Sequence, residues 1–236
     1  MKIHGINGLT LLDYPGRMAC TVFTGHCNFR CPFCHNATLV LHPDSQPVKS
    51  EDELFELLKM RAGRLEGVAI TGGEPTINAD LADFCKKIKD MGLSVKLDTN
   101  GSSPKTIESL IDNGLIDYIA MDIKACPDNY AVATGLQSFD MTPIFDSVDI
   151  IMQNGNKGKI DYEFRTTVVG GIHTEKDFQS IGRWLKGAKA YFLQGYKTSD
   201  DQLNPEGLYT IPVKDMEGFR GILLPTIPNT QLRGVV

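Results

Sequence analysis

Cys27, Cys31 and Cys34 lie within eight residues, a Cys-x3-Cys-x2-Cys spacing that gathers three thiols on one loop. Closely spaced cysteines hold iron–sulfur clusters, and a complete electron-transfer cluster takes four of them. Three ligands on a [4Fe-4S] cube leave one iron open to another molecule, which converts an electron carrier into a potential catalyst. Zinc and disulfides are the alternatives. A closed structural zinc site also wants four ligands, and His35 adjoins Cys34, so it is poorly placed to complete a tetrahedron. Thiolate ligands suit iron–sulfur chemistry, and the open cluster is the favoured reading.

Other residue groups could do chemistry beside such a cluster. Thr71-Gly72-Gly73-Glu74-Pro75 combines two glycines with a carboxylate. The glycines could form a simple turn, or let main-chain groups approach a ligand closely. Asp98-Thr99-Asn100-Gly101 offers a second carboxylate that either caps a helix or meets a ligand, while Asn100-Gly101 alone is a turn signal. Met121-Asp122-Ile123-Lys124 places an ammonium two residues after a carboxylate. That pair is a local surface contact, or Lys124 points into a cleft to meet an anionic group such as a carboxylate. Arg165 is a second anion contact or one half of a buried charge pair.

These groups need a scaffold, and the chain supplies one. Apolar strand patterns at 18–24, 67–71, 94–98, 118–122, 162–169 and 190–194 alternate with helical patterns at 51–61, 79–91, 104–113, 140–154 and 175–185. Ser50 is the expected cap of the first helix. Repeated βα units predict a parallel sheet with right-handed crossovers. Six units make a partial (β/α)6 barrel of the TIM type, short of the eight needed for closure; a flavodoxin-like open sheet is the alternative, usually with fewer strands. The cysteine loop and the three other groups all fall at carboxyl ends of predicted strands, where parallel α/β folds collect function. No linker divides the chain, so a single domain over residues 1–236 is expected, its core at about 17–195 and its flanks at 1–16 and 196–236.

Composition sets outer limits. With 42% hydrophobic and 22% charged residues and a net charge of −5, the chain offers no basic footprint for nucleic acid. No apolar run approaches the ~18 residues of a membrane span. Cys20, Cys85 and Cys126 are scattered, which is not a disulfide framework and fits a reducing cytoplasm. Cys20 and Cys85 read as buried structural thiols, and Cys126 is left open.

The cysteine loop, with Phe33 before its last cysteine, together with Gly72-Gly73-Glu74-Pro75 after the second strand, resembles the radical S-adenosylmethionine enzymes. Cys34-His35-Asn36, Asp98-Thr99-Asn100-Gly101 and Asp122-Ile123-Lys124, with Leu12-Asp13-Tyr14-Pro15-Gly16 upstream, are similar to the activases of glycyl radical enzymes. Among these the chain resembles the activating proteins of anaerobic ribonucleoside-triphosphate reductase, in the larger form related to pyruvate formate-lyase activase. The resemblance runs from about residue 3 to residue 195. It implies one [4Fe-4S] cluster on Cys27, Cys31 and Cys34, with no auxiliary clusters. S-adenosylmethionine then chelates the open iron and is split reductively to methionine and a 5'-deoxyadenosyl radical, which takes hydrogen from a glycine of a partner enzyme. It further implies that Gly73 and Glu74 meet the methionine amino group, Asp122 and Lys124 lie at the cofactor with Lys124 on its carboxylate, and Phe33 and His35 lie near the adenine. Asp98, Thr99 and Met121 resemble a monovalent-cation site, and Asp13 is a candidate contact to the partner peptide.

Two departures stand out. Tyr14 replaces the first glycine of the Asp-Gly-Pro-Gly run common in the activases, and Gln194 stands where pyruvate formate-lyase activase has a histidine near the nucleoside. The expected partners are a glycyl radical enzyme and an electron donor such as flavodoxin or ferredoxin. Two other functions compete. One is a radical enzyme acting on a small molecule, as in the 7-carboxy-7-deazaguanine synthases, which a deep pocket closed by residues 195–236 would favour. The other is a non-enzymatic cluster or zinc module.

Overall fold

The computed structural model describes residues 1–235. Each predicted strand is present, displaced at its ends by at most a residue: β2 (Ala19–Thr24), β3 (Gly67–Gly72), β4 (Ser94–Thr99), β5 (Tyr118–Asp122), β6 (Asp161–Gly170) and β7 (Tyr191–Gly195). The predicted helices are α2 (Glu51–Met60), α3 (Leu81–Asp90), α4 (Pro104–Asp112), α6 (Thr142–Asn156) and α7 (Glu175–Trp184), and two short ones, α1 (Ala37–Leu41) and α5 (Tyr130–Thr134), lie in the connections. Ser50 caps α2 as expected: its hydroxyl accepts from the Glu53 N–H, and Glu53 returns the bond to the Ser50 N–H. The flanks contribute more than packing. β1 (Ile3–Thr10) pairs antiparallel with β2, while β8 (Tyr209–Thr210), α8 (Val213–Leu223) and β9 (Thr230–Arg233) follow β7, with β9 parallel to it.

Strand order is β1-β2-β3-β4-β5-β6-β7-β9, with β8 attached to β6. The parallel strands therefore follow chain order without the reversal that defines a doubly wound sheet. Every crossover steps in one direction, so right-handed units place all helices on one face and curl the sheet into a partial barrel. The C-terminal strand extends the expected six-strand barrel by one. It stays open, because β1 and β9 are its edges and are not paired to each other.

Strand residues alternate between faces, and the two faces differ in chemistry. Val68, Ile70, Val95, Leu97, Ile119, Met121 and Phe164 belong to the apolar core beneath the helices. The concave face carries Lys96, Asp98, Asp122, Glu163 and Arg165; Arg165 of β6 joins Asp98 of β4 and Asp122 of β5 across strands, and Lys96 pairs with Asp98 within β4. Arg233 of β9 reaches Glu163 with two bonds of 2.8 and 3.2 Å, and its guanidinium lies 3.7 Å from the Phe192 ring. At the amino end of the strands the loop after β1 folds inward. Tyr14 is buried against Tyr118 there, with ring centroids 5.8 Å apart. Cys20 and Cys85 are fully buried, as structural thiols should be.

Candidate active site

The loop after β2 is fastened mainly by main-chain bonds. The His26 N–H donates to Leu39 O at 3.0 Å, Arg30 N–H to Thr134 O at 2.8 Å, and Cys34 N–H to Cys31 O at 3.0 Å. The Arg30 guanidinium donates to Cys27 O and Phe29 O at 2.6 and 2.7 Å. His26 enters the loop at φ 58°, the one non-glycine with positive φ among the described residues, a conformation that marks a constrained turn. Two N–H groups address the Cys27 sulfur, Phe29 N at 3.4 Å and Asn100 Nδ2 at 3.8 Å; such donors tune thiolate sulfur in clusters. Burial pushes the Cys31 thiol up to about 12 and raises Cys27, with Lys124 pulling both the other way. A bound metal is what makes such thiols deprotonate. Among the described residues, no three metal-binding side chains converge on one ion. Three thiols supply the ligands of a cube with one open iron and are one short of a closed structural zinc site.

The glycine pair answers to the cysteine loop. Gly72 has φ +110°, and a methyl group on Gly73 would sit 1.8 Å from the His26 carbonyl oxygen. That gap is closed by Gly73 N–H donating to Thr24 O and Glu74 N–H to His26 O, both at 2.8 Å. Glu74 is buried and ties β3 to β4. Its Oε1 accepts from Thr76 N–H at 3.0 Å and from the Thr76 and Thr99 hydroxyls, and its Oε2 accepts from Asn100 N–H at 2.6 Å. Burial raises the Glu74 carboxyl despite these donors.

Charge concentrates at the ends of β4, β5 and β6. Asp98 pairs with Lys96 and, at 3.3 Å, with Arg165; Asp122 pairs with Arg165 Nε and with Lys124, both at 2.9 Å. Each of the four carboxylate oxygens faces a different cationic contact. Arg165 and the Lys124 ammonium hold Asp122 down at about 2, against its burial, and the Arg165 and Lys96 charges lower Asp98. Lys124 and Arg165 line the cleft and bring positive charge to it beside Asp98 and Asp122. The Lys124 ammonium suits an anion such as an amino-acid carboxylate, while Asp98, the carboxylate of the expected monovalent-cation site, is already paired. Of the residues linked to such a cation, Thr99 gives its hydroxyl to Glu74 at 2.8 Å, and the Met121 side chain is fully buried in the apolar core. Arg165 pairs with both carboxylates and lines the cleft. Lys124 is both things considered for it, a partner of Asp122 and a lining residue of the cleft.

The cleft these elements enclose holds about 220 Å³ and is lined by the three cysteines, Phe33, His35, Gly73, Glu74, Asp98, Thr99, Asp122 and Lys124, among others. His35 is exposed and bonds Lys197 O at 2.7 Å. Gln194 lies beside Thr167 in register, and Thr167 lines the cleft whereas Gln194 does not. Asp13 is not brought to this rim. It sits in the loop before β2, where it accepts from the Thr21 hydroxyl. Asn36, Asn100 and Thr167 were not singled out from the sequence. Asn100 read as a turn residue, and for Thr167 the available signal was its place two residues beyond Arg165 on the same face of β6.

A cluster-loop cleft at the carboxyl rim of an open parallel barrel is the plan of a family model described as the radical SAM superfamily, which matches residues 21–185. The chain belongs to the radical SAM superfamily, and it is a radical SAM enzyme. Its relatives narrow the type. A Methanocaldococcus jannaschii protein, provisionally named a glycyl-radical enzyme activating enzyme, is 32% identical over 200 residues, covering 84% of this chain and 81% of its own length. The pyruvate formate-lyase-activating enzyme of Clostridium pasteurianum is 30% identical over 141 residues, 57% of each chain. In fold, the structure is similar to Streptococcus suis SuiB bound to S-adenosylmethionine, with a TM-score of 0.66 at 14% identity over 89% of this chain and 49% of that one. Membership implies a [4Fe-4S] cluster and S-adenosylmethionine. The residues present fit both, with three thiols lining one cleft, two N–H donors on the Cys27 sulfur, and the Lys124 ammonium in the same lining.

Proposed function

We propose that this protein is an activase that installs a glycyl radical on a partner enzyme, with anaerobic ribonucleotide reductase as the partner class. The observation that carries this reading is the open side of the barrel. A sheet with two unpaired edges leaves a side open to a protein loop, and the names of the relatives agree.

The residues divide the work. Cys27, Cys31 and Cys34 hold the cluster. The main chain at Gly73, with Glu74 beneath it, receives the methionine amino group, and Lys124 the carboxylate, beside Asp122. Phe33 and the main chain at His35 border the adenine, and Thr167, the register neighbour of Gln194, is the β6 group nearest the nucleoside. When bound, cluster and cofactor supply a 5'-deoxyadenosyl radical that removes a hydrogen atom from glycine. The protein orients the cofactor and keeps water out. An electron carrier such as flavodoxin or ferredoxin supplies the reductant, and the setting is a reducing cytoplasm; among the described residues, no helix is long and apolar enough to cross a membrane. The cation of the related activase has no place in this reading.

One observation favours a small-molecule substrate instead. Residues 196–204 run along the cysteine loop, where Thr38 N–H donates to Asp201 Oδ1 at 3.1 Å and Asn204 N–H to Pro32 O at 3.0 Å. This strap packs against the loop that carries the cysteines, outside the cleft lining itself. The two readings separate on incubation of the anaerobically reconstituted, reduced protein with S-adenosylmethionine and anaerobic ribonucleoside-triphosphate reductase. The activase reading requires 5'-deoxyadenosine together with a glycyl-radical doublet in the electron paramagnetic resonance spectrum. Cofactor cleavage without a radical on that or another glycyl radical enzyme refutes it.

A further inference from the structure

Lys124 stands two residues beyond the end of β5, in an irregular stretch ahead of α5. Its direction must therefore be set by contacts, and these come from β6 and the connection after it. Ile123 N–H donates to Arg165 O at 2.7 Å, and Ile123 O accepts from the Thr166 hydroxyl at 2.6 Å. The next carbonyl, that of Lys124 itself, is bonded to His173 Nε2 at 2.8 Å. His173 lies in the connection between β6 and α7, a residue the sequence did not single out.

The imidazole has its tautomer decided for it. Lys124 O can only accept, so Nε2 carries the ring proton, and Nδ1 accepts from Val169 N–H at 3.0 Å with Val169 O 3.3 Å away. The ring is also held in plane. It stacks on Phe178 of α7 at 6.0 Å and 27°, and Phe178 stacks on Phe219 of α8 at 4.6 Å and 27°. Asn129 adds a second tie between the same two connections, donating to Ile172 O at 2.8 Å. Burial keeps His173 below the usual imidazole value, against the opposing pull of Asp177 on α7 and of its two main-chain partners.

We propose that His173 is a positioning residue for Lys124. Its neutral imidazole, with the proton on Nε2, latches the Lys124 main chain so that the ammonium stays between Asp122 and the cleft. The proposal rests on the reading above in which Lys124 meets the carboxylate of S-adenosylmethionine.

The test uses the reconstituted full chain and three variants, His173→Phe, His173→Gln and Lys124→Met. Phenylalanine keeps the stack on Phe178 and removes both bonds, while glutamine offers a donor and an acceptor in one amide. The readouts are the dissociation constant for S-adenosylmethionine, iron and sulfide content, and hydrogen exchange at residues 123–129 without the cofactor. His173→Phe should keep its cluster, speed exchange at 123–129 and raise the dissociation constant about tenfold or more, the scale of a lost hydrogen bond to a charged group. His173→Gln should recover most of the loss. In the Lys124→Met background His173→Phe should add nothing further, because coupled residues are non-additive. A full second loss in that background, or unchanged exchange and affinity in His173→Phe, overturns the proposal. If Lys124→Met leaves affinity unchanged while His173→Phe still frees residues 123–129, the latch stands and the assignment of Lys124 to the carboxylate fails. Should His173→Phe not fold, long-range proton–nitrogen correlations in the apoprotein read the tautomer directly, and an Nδ1–H form overturns the proposal.

Discussion

Replacing Gly73 with alanine should detach the cluster loop from the sheet. The added methyl group would lie 1.8 Å from His26 O and 2.7 Å from His26 C. Carbon and oxygen normally approach no closer than about 3.3 Å, so one backbone must retreat by about 1.5 Å. No flexible side chain can absorb the overlap, because the neighbour is main chain. The retreat breaks the 2.8 Å bonds from Gly73 N–H to Thr24 O and from Glu74 N–H to His26 O, and Cys27 follows His26 directly. Overpacking of this kind costs about 1–3 kcal/mol, and a displacement above 1 Å at a reacting centre costs about 100-fold or more. After anaerobic reconstitution the variant should hold much less than a full complement of iron and sulfide, and should form 5'-deoxyadenosine at under about 1% of the wild-type rate. Gly218→Ala is the control, since its methyl group on α8 would meet nothing within 4 Å; it should be neutral or slightly stabilising. A Gly73→Ala protein with a full cluster and wild-type turnover would refute the claim that this close approach holds the loop.

Arg165→Leu should strand Asp98 and Asp122 with one lysine each. Breaking a buried pairing typically costs about 3–5 kcal/mol, which for a chain of this size lowers Tm by about 6–20 °C; a change under 2 °C by calorimetry would remove Arg165 as the keystone. Acid should weaken the fold through the same network. Asp122 is depressed to about 2 by Arg165 and Lys124, so its contribution of about 2 kcal/mol is complete above the unfolded value near 4 and fades as pH falls from about 4 toward 2. Urea midpoints of the apoprotein should show this slope, and Asp122→Asn should flatten it. Finally, cofactor cleavage should proceed equally well in potassium and in tetramethylammonium buffers, because three cationic side chains already occupy Asp98 and Asp122. A strict potassium requirement would show that the ion pairs open in the working enzyme.

Much of the scaffold was legible because its signals are local. Apolar strands of five or six residues alternating with amphipathic helices specify a parallel sheet wherever they occur. β5 was read to the residue, and Ser50 with Glu53 marks the start of α2 by side chains three residues apart. β1 and β9 escaped for a physical reason. β1 alternates weakly, with glycines at 5 and 8, and β9 is four residues long with Gln231 and Arg233 on one face, so each is a strand mainly because an existing edge accepts it. The rim motifs were visible too, but their partners were not. Asp13 seemed near the cysteine loop in sequence, yet β2 separates them, and strands carry what precedes and follows them to opposite ends of the sheet.

By itself, the sequence determined the chemistry: three cysteine thiols at cluster spacing, a glycine pair, two carboxylates and a lysine, each at the end of a strand. Those are properties of residue type and short spacing, which the chain carries folded or not. Only the tertiary structure decided how these groups are employed. It showed that the glycines serve a main-chain contact with the cysteine loop, that Glu74 clasps two strands, and that Lys96 and Arg165 neutralise the carboxylates a cation would need. It also brought His173 against Lys124 across 49 residues. Such assignments depend on which groups compete for the same few ångströms, and that competition exists only once the sheet has curled and brought distant strands side by side.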